Sequence, residues 1–196
     1  MNHPAEKILQ DPFVNYVGNA PKKARDHFFG LLLAKPDLRG VAVFDRLEND
    51  PLDNPPLVQM TWRKREIENY LTRYEVLSRF AESGLYSGGP LDPRDLFGDL
   101  EIKRRVNAME ESIRSIGDAL YRLRRVDPWS PDIKATDDFL DPLFKEFYER
   151  LELPLYFAKS NYHELANFIL LEEIDPEIVE KLDAIRKIAQ SESIVE

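Results

Sequence analysis

The sequence predicts an α/β protein in which a small parallel sheet is followed by a helical C-terminal half. Short apolar runs closed by polar residues or glycine punctuate the first 62 residues, which is typical of buried strands. Beyond that point apolar residues recur at spacings of three and four, as they do on one face of a helix. The chain has 196 residues, a length typical of one domain or two small ones.

The first elements predict a strand–helix–strand unit. Residues 14–17 form a short apolar-rich run that predicts a strand. Asn19 is the expected cap of a helix with Pro21 in its first turn, and the helix is expected to end before Pro36. Residues 41–44 are an unbroken apolar run, typical of a strand buried on both faces.

A third strand is predicted over residues 57–62, and a helical stripe follows from Ile67 to Phe80. Residues 83–98 are rich in Gly, Pro and Asp and predict a loop between domains. The predicted organisation is therefore a partial α/β domain over 1–82, a linker over 83–98 and a helical region over 99–196.

The helical region begins with a long predicted helix. Between Ile102 and Leu123, apolar residues alternate at spacings of four and three, which is an a/d seam of about three heptads. Such a seam needs a helical partner, either within the chain or on another molecule. Thr136 or Asp137 is the expected cap of the next helix, and Asp175 is expected to begin the last one.

Composition excludes several classes of function. The chain has no cysteine, which excludes disulfides, thiol catalysis and cysteine-bound metals. No apolar run reaches the roughly 18 residues that span a bilayer, and the N-terminus does not have the pattern of a signal peptide, so no membrane partner and a cytoplasmic location are expected. No P-loop motif occurs, so no ATP site is expected in this chain. The net charge of −9 does not favour a protein that coats nucleic acid, although a locally basic site remains compatible with it.

Acidic residues cluster directly after the second predicted strand. They are Asp45, Glu48, Asp50 and Asp53. Oxygen ligands at the end of a strand suit a hard cation such as Mg²⁺. The alternative is a solvated acidic turn, which this composition favours when it is taken alone.

The third predicted strand is followed by three successive cations and two acids. The cations Arg63, Lys64 and Arg65 are candidates for binding phosphate, and Glu66 and Glu68 are candidates for sharing a metal with Asp45. The alternative is a helix start with acids in its first turn and exposed basic residues.

A third candidate group lies late in the chain. Lys159 is a candidate phosphate contact, and His163 with Glu164 is a candidate base or ligand pair. The alternative, a short helix capped by Asn161 with a surface histidine, is the more common arrangement.

Four stretches, taken in this order, resemble one known family. They are Val41-Ala42-Val43-Phe44-Asp45-Arg46, Arg65-Glu66-Ile67-Glu68-Asn69-Tyr70-Leu71, Phe157-Ala158-Lys159-Ser160-Asn161-Tyr162-His163-Glu164-Leu165 and Glu177-Ile178-Val179-Glu180-Lys181-Leu182-Asp183-Ala184-Ile185. The sequence is similar to the Toprim region that follows the ATPase module in OLD-family ATP-dependent endonucleases and related AAA ATPases of phage defence. Each stretch is short, and it is their order over most of the chain that carries the resemblance.

The resemblance implies a Toprim-like, Rossmann-like sheet and a DNA endonuclease that depends on Mg²⁺ or Mn²⁺. Asp45 matches the first acid of the family's Asp-x-Asp motif, and Asp45 and Glu68 are the implied catalytic residues. Position 47 is Leu where the motif has its second acid. Glu48, Asp50 and Glu66 are the candidates to complete the metal site.

The family also has a glutamate on a strand ahead of everything seen here. The expectation from the resemblance is therefore an incomplete site, completed by an ATPase subunit or by a missing N-terminal part, with weak or no activity in this chain alone. The alternative is a non-catalytic module in which the Toprim remnant is a scaffold. In that case the helix over 102–123 binds a partner or a second copy of the chain.

Overall fold

The computed structural model describes residues 3–10, 14–51, 54–86 and 96–190. The chain divides into two compact units. The sheet unit comprises Met1–Arg63 and Leu171–Glu196, and the helical unit comprises Lys64–Leu170. The predicted domains over 1–82 and 99–196 stay a prediction, and residues 87–95 of the predicted linker lie outside the described residues.

Helices dominate the described residues, as predicted for the C-terminal half. The α-helices are α1 (Glu6–Leu9), α2 (Pro21–Leu32), α3 (Tyr74–Glu82), α4 (Leu96–Arg124), α5 (Asp141–Arg150) and α6 (Pro176–Gln190), and the strands are β1 (Gly40–Phe44) and β2 (Leu57–Thr61). Short 3₁₀ helices occupy Ile67–Tyr70, Lys159–Phe168 and Leu171–Glu173, and a π-helical turn occupies Ala135–Leu140.

The strands β1 and β2 pair in parallel, with Gly40 opposite Leu57 and Phe44 opposite Thr61. The ladder continues one step beyond β2, because the Trp62 N–H donates to the Phe44 carbonyl at 2.9 Å. The predicted strands over 41–44 and 57–62 and the small parallel sheet are confirmed. The expected burial of the first strand on both faces is wrong, because only Phe44 of β1 is buried and its other residues are half-buried. The sheet has two strands in the described residues, so the coarse α/β class is what the structure establishes.

The strand predicted over residues 14–17 is wrong, because these residues have no regular secondary structure. Val14 is exposed and Tyr16 is 92% exposed, so this apolar run is not buried as a strand of a sheet would be. The helix that follows does contain Pro21 in its first turn, as predicted, but its N-cap is Ala20 rather than Asn19. The predicted strand–helix–strand unit is therefore reduced to a helix that leads into β1.

Helices α2 and α6 both contact β1. A glycine at the start of β1 allows α2 to approach closely: a Cβ atom at Gly40 would lie only 2.6 Å from the ring of Phe28. Such a distance is a clash, so any other residue here would force the Phe28 ring or the helix that carries it to shift. Phe28, Phe44 and Leu57 are buried and form the centre of the sheet unit.

In the helical unit, the stripe predicted as one helix from Ile67 to Phe80 is broken. The chain makes a 3₁₀ turn over Ile67–Tyr70 and enters α3 only at Tyr74. Side chains cause the interruption, because the Thr72 hydroxyl donates to the Glu68 carbonyl at 2.8 Å and Asn69 points inward to other segments. Local bonds of this kind compete with continued helix.

The long helix predicted over 102–123 is confirmed as α4, and most of its seam is occupied inside the helical unit. Met109 and Leu120 are buried, and Val106, Ile113 and Ile116 pack against the core. Only the last seam residue, Leu123, is largely exposed, at 84%. The seam is therefore structural, and a partner or a second copy docked along it loses its main support.

The cap predicted for the next helix is also wrong. Thr136 and Asp137 lie inside the π-helical turn that runs into α5, and the residue at the N-cap position is Lys134. The start of α6 is confirmed, since the Asp175 carboxylate accepts the Glu177 N–H at 3.0 Å.

An arginine closes one end of the core of the helical unit. Arg105 is fully buried, and its guanidinium donates to the carbonyls of Ala81 at 3.2 Å and Leu85 at 2.9 Å. Ala81 lies in the last turn of α3, where carbonyl groups lack helical partners and favour a cation, and Leu85 lies three residues beyond the helix end. Burial raises the pKa of the neighbouring Tyr148 to about 12, and Arg105 acts in the opposite direction.

The core of the helical unit is centred on Phe80, whose ring centroid lies between 4.6 and 6.5 Å from those of five other aromatic rings. These rings belong to Tyr86, Phe144, Phe147, Phe157 and Phe168. Phe80 itself has no exposed surface.

We expect Phe80→Ala to lower the free energy of unfolding by about 3–5 kcal/mol, because it removes a buried ring and leaves a cavity between segments. Urea denaturation followed by circular dichroism measures the loss. The control is Leu123→Ala on the exposed end of α4, expected to change stability by less than about 0.5 kcal/mol. Equal effects of the two substitutions would contradict the central role of Phe80.

Candidate functional site

The carboxyl edge of the sheet carries the first predicted ligand. Asp45 directly follows β1 and is half-buried. Bonds tie its two neighbours to the chain leaving β2: the Phe44 carbonyl accepts the Trp62 N–H at 2.9 Å, and the Arg46 guanidinium donates to the Arg63 carbonyl at 3.2 Å. The strand ends therefore place Asp45 next to Arg46, whose side chain reaches the backbone of Arg63.

The N-terminal half of α6 completes this edge within the sheet unit. Glu177 is only 2% exposed, and its carboxylate accepts the Arg63 backbone N–H at 2.9 Å. The Arg63 guanidinium donates to Glu180 at 2.6 Å. The Lys181 ammonium is 3.7 Å from the Glu177 carboxylate and is also largely buried. Sequence reasoning missed Glu177 and Lys181, since spacing alone shows only that both lie on one helix face.

The other acids of the predicted cluster lie in the loop after β1. Glu48 and Asp50 are exposed, and Asp53 lies outside the described residues. Across the part of the chain that the structure describes, no group of three or more carboxylate or imidazole side chains converges to hold a metal ion. The described residues therefore do not assemble the ligand set that the resemblance implies.

The second group of acids lies in the helical unit. The Glu66 carboxylate accepts the N–H of Asn69 and, at 3.2 Å, that of Thr136, while the Asn69 side chain accepts the Glu66 N–H at 2.8 Å. This is a reciprocal capping arrangement, the alternative reading of the segment. Glu68 follows inside the same 3₁₀ turn, where its carbonyl accepts the N–H groups of Leu71 and Thr72. A metal shared with Asp45, which belongs to the sheet unit, stays a prediction.

Asn69 is a residue whose importance sequence reasoning missed. It is 7% exposed, and its amide donates to the carbonyls of Ser130 and Ile133, both at 3.2 Å. It thereby fastens the 3₁₀ turn to the segment ahead of the π-helical turn. The spacing of Glu66 and Asn69, an acid and an amide three residues apart at a helix start, was the available signal.

The predicted phosphate-binding cations have protein contacts of their own. Arg63 pairs with Glu180, as described above. The Lys64 ammonium lies 4.3 Å from the centre of the Tyr70 ring and 3.5 Å from the Asn69 carbonyl. Arg65 is exposed, and its backbone N–H donates to the Pro131 carbonyl at 2.8 Å.

The late candidate Lys159 pairs with Asp137 of the π-helical turn at 3.1 Å. The hydrogen bond to Asp137 raises the pKa of Lys159, and the charge of Glu66 acts in the same direction. The bond to Lys159 also lowers the pKa of Asp137. Glu66 and Lys159, two sequence-predicted site residues, thus share one electrostatic group with Asp137, an acid that the sequence suggested only as a helix cap.

The two residues predicted as a pair, His163 and Glu164, have different surroundings. His163 is exposed, whereas Glu164 accepts hydrogen bonds from the Tyr86 hydroxyl and, at 3.1 Å, from Asn161. These bonds lower the pKa of Glu164. Asn161 in turn accepts the Ala158 N–H at 3.4 Å, so the local arrangement is that of a capped helix start.

No family model, curated protein or solved structure matches this chain. Among the described residues, no helix is long and apolar enough to cross a bilayer.

We expect Asn69→Ala to destabilise the helical unit by about 2–4 kcal/mol, because each buried group left without a partner costs about 1–3 kcal/mol. Two carbonyls and the Glu66 N–H lose a bond in this variant. The matched control is Asn107→Ala, an exposed position on α4, where a change of less than about 0.5 kcal/mol is expected. Urea denaturation compares the two, and a neutral effect of Asn69→Ala would mean that the turn does not depend on this side chain.

Proposed function

We propose that this chain is a Toprim-like region of an OLD-family or related AAA-type ATP-dependent endonuclease, with Asp45 as a ligand for Mg²⁺ or Mn²⁺. The observation that carries the proposal is the parallel, in-register pairing of β1 and β2, which leaves Asp45 at the carboxyl edge of the sheet. In open α/β sheets, ligands bind at that edge.

The charges beside Asp45 support a phosphate-containing substrate. Arg46 follows Asp45 directly and reaches the Arg63 carbonyl, and guanidinium groups are suited to phosphate oxygens. The proposal extends to DNA as the substrate, with Arg63, Lys64, Arg65 and Lys159 as proposed phosphate contacts. Their existing partners are exposed acids, aromatic rings or backbone carbonyls, and surface ion pairs of this kind are weak enough to exchange.

The proposal assigns one coordination position to Asp45 and treats Glu48, Asp50, Glu66 and Glu68 as candidate ligands. Since the described residues form no three-ligand group, Asp45 is proposed as part of a metal site and not as a complete centre. An ATPase subunit or an additional segment that supplies further ligands is the proposed partner. Leu47, where the resembling motif has an acid, leads us to expect weak activity of this chain alone.

A second candidate function is a non-catalytic scaffold of the same Toprim-like type. The scaffold is favoured because two acids of the resembling segments make structural hydrogen bonds: Glu66 caps a turn and Glu177 accepts a backbone N–H. The seam of α4 does not favour it, because that seam packs within the helical unit.

Binding of Mn²⁺ to the chain separates the two candidates. We expect the wild-type chain to bind Mn²⁺ saturably in a titration followed by electron paramagnetic resonance. Asp45→Asn is expected to weaken binding by at least tenfold, since loss of even an outer partner of a metal site costs about 10- to 100-fold in affinity. Asp26→Asn, at an exposed acid on α2, is the matched control and should bind as the wild type does.

On supercoiled plasmid, weak or no nicking by the wild-type chain is expected, because misplacing reacting groups by about 1 Å can cost on the order of 10²-fold in rate.

The outcomes point in different directions. Equal Mn²⁺ affinity of the wild type and Asp45→Asn would remove Asp45 from the proposed site. A wild-type chain that binds no Mn²⁺ would favour the scaffold. Robust nicking by the wild type that is lost in Asp45→Asn would show that the site is complete and that the expectation of weak activity is wrong.

A further inference from the structure

The sheet unit contains a buried carboxylate, Glu177, that is bonded to the chain leaving β2. Glu177 is 2% exposed, and an ionised carboxylate in such a position is costly unless it is paired and hydrogen-bonded. Its Oε1 accepts the Arg63 backbone N–H at 2.9 Å and lies 3.7 Å from the Lys181 ammonium. The Glu177 backbone is itself fixed by the cap from Asp175 at the start of α6.

The residue that Glu177 holds is the one that leads out of β2 at the carboxyl edge. Arg63 is connected back to the end of β1 through its carbonyl, which accepts from the Arg46 guanidinium at 3.2 Å. Its neighbour Trp62 donates to the Phe44 carbonyl at 2.9 Å. These two bonds involve the residues on either side of Asp45, the first through the exposed Arg46 side chain and the second through the Phe44 backbone. Arg63 and Trp62 therefore link the chain leaving β2 to both neighbours of Asp45.

The charged groups of α6 strengthen the same attachment. The Arg63 guanidinium donates to Glu180 at 2.6 Å, one turn along the helix from Glu177, and Lys181 lies between the two glutamates at 3.7 and 3.8 Å. The bond from the N–H of Arg63 to the buried Glu177 carboxylate is partly buried, whereas the pair with Glu180 is exposed. The partly buried bond is therefore the stronger constraint.

We propose that Glu177 is a positioning residue, whose buried carboxylate fixes the turn after β2 and, through Arg63 and Arg46, holds Asp45 at the carboxyl edge of the sheet. The functional meaning given to Asp45 rests on the proposed function above. We call this connection from Glu177 through Arg63 to Asp45 the clamp. It lies within the sheet unit, so it can be tested without metal or DNA.

Amide hydrogen exchange by NMR on the full chain tests the clamp. In Glu177→Ala, exchange of the Arg63 amide should accelerate by about 10- to 100-fold, the value of a hydrogen bond to a charged group. The amide resonances of Asp45 and Arg46 should shift in the same variant. Glu177→Gln retains an oxygen acceptor and should keep most of the protection. Asp183→Ala removes a half-exposed acid from the same helix, whose partners are His3 and Arg186, and is the matched control, expected to leave all three amides unchanged.

A double variant separates positioning from stability. Glu177→Ala alone leaves Lys181 buried without its nearer acid, which destabilises the fold for a reason unrelated to Asp45. Glu177→Ala with Lys181→Met removes that charge and keeps an unbranched apolar side chain, so thermal stability should recover. Protection of the Arg63 amide should not recover, because no acceptor replaces the carboxylate.

Two results would overturn the proposal. One is that the Arg63 amide is as well protected from exchange in Glu177→Ala as in the wild type, or that its protection returns together with thermal stability in the double variant. The other is release of Arg63 with no change at Asp45 and Arg46, which would show that the clamp does not reach the site. Failure of the proposed function would appear elsewhere, as absence of Mn²⁺ binding by a wild-type chain whose Arg63 amide is still protected by Glu177.

Discussion

Burial of the Phe80 ring is the constraint on which the helical unit depends. The ring on α3 meets aromatic rings from α5, from the segment around Phe157 and from the end of the 3₁₀ helix at Phe168. Because interiors are packed as closely as organic crystals, these segments cannot shift independently. The 3₁₀ helix that carries Lys159 is thereby held close to α3 and α5. The electrostatic group of Lys159, Asp137 and Glu66 is thus built on a rigid apolar support.

Acids of the motif segments serve the fold as well as any chemistry. Glu66 and Glu177 each accept a backbone N–H from a distant segment, and both are screened from solvent to some degree. Asp45 differs from them, because it stands at the strand end where ligands bind in sheets of this type. Asp45 is the proposed ligand, whereas Glu66 and Glu177 each hold a backbone N–H within their own unit.

Local sequence was sufficient where one physical cause acts alone. The apolar run ending in Asp45 predicted β1, because short unbroken apolar runs with valine favour strands. The spacing in α4 predicted both its length and its seam. The same reasoning failed for residues 14–17, where the run is short and exposed, and for the stripe from Ile67 to Phe80, where side chains of Asn69 and Thr72 interrupt the helix. For Asn69 the deciding partners, the carbonyls of Ser130 and Ile133, lie 61 and 64 residues along the chain.

The sequence by itself determined the strands of the sheet, the long helix, the start of α6 at Asp175 and the position of Asp45 behind β1. These follow from periodicity, capping and strand composition, all of which act over a few residues. Only the tertiary structure decided that the seam of α4 is internal, that Lys159 pairs with Asp137, and that Glu177 holds Arg63 from 114 residues away. Such pairings depend on which segments the packed core brings together. A carboxylate meets a particular N–H only after the apolar surfaces around both have been buried, and no spacing rule encodes that outcome.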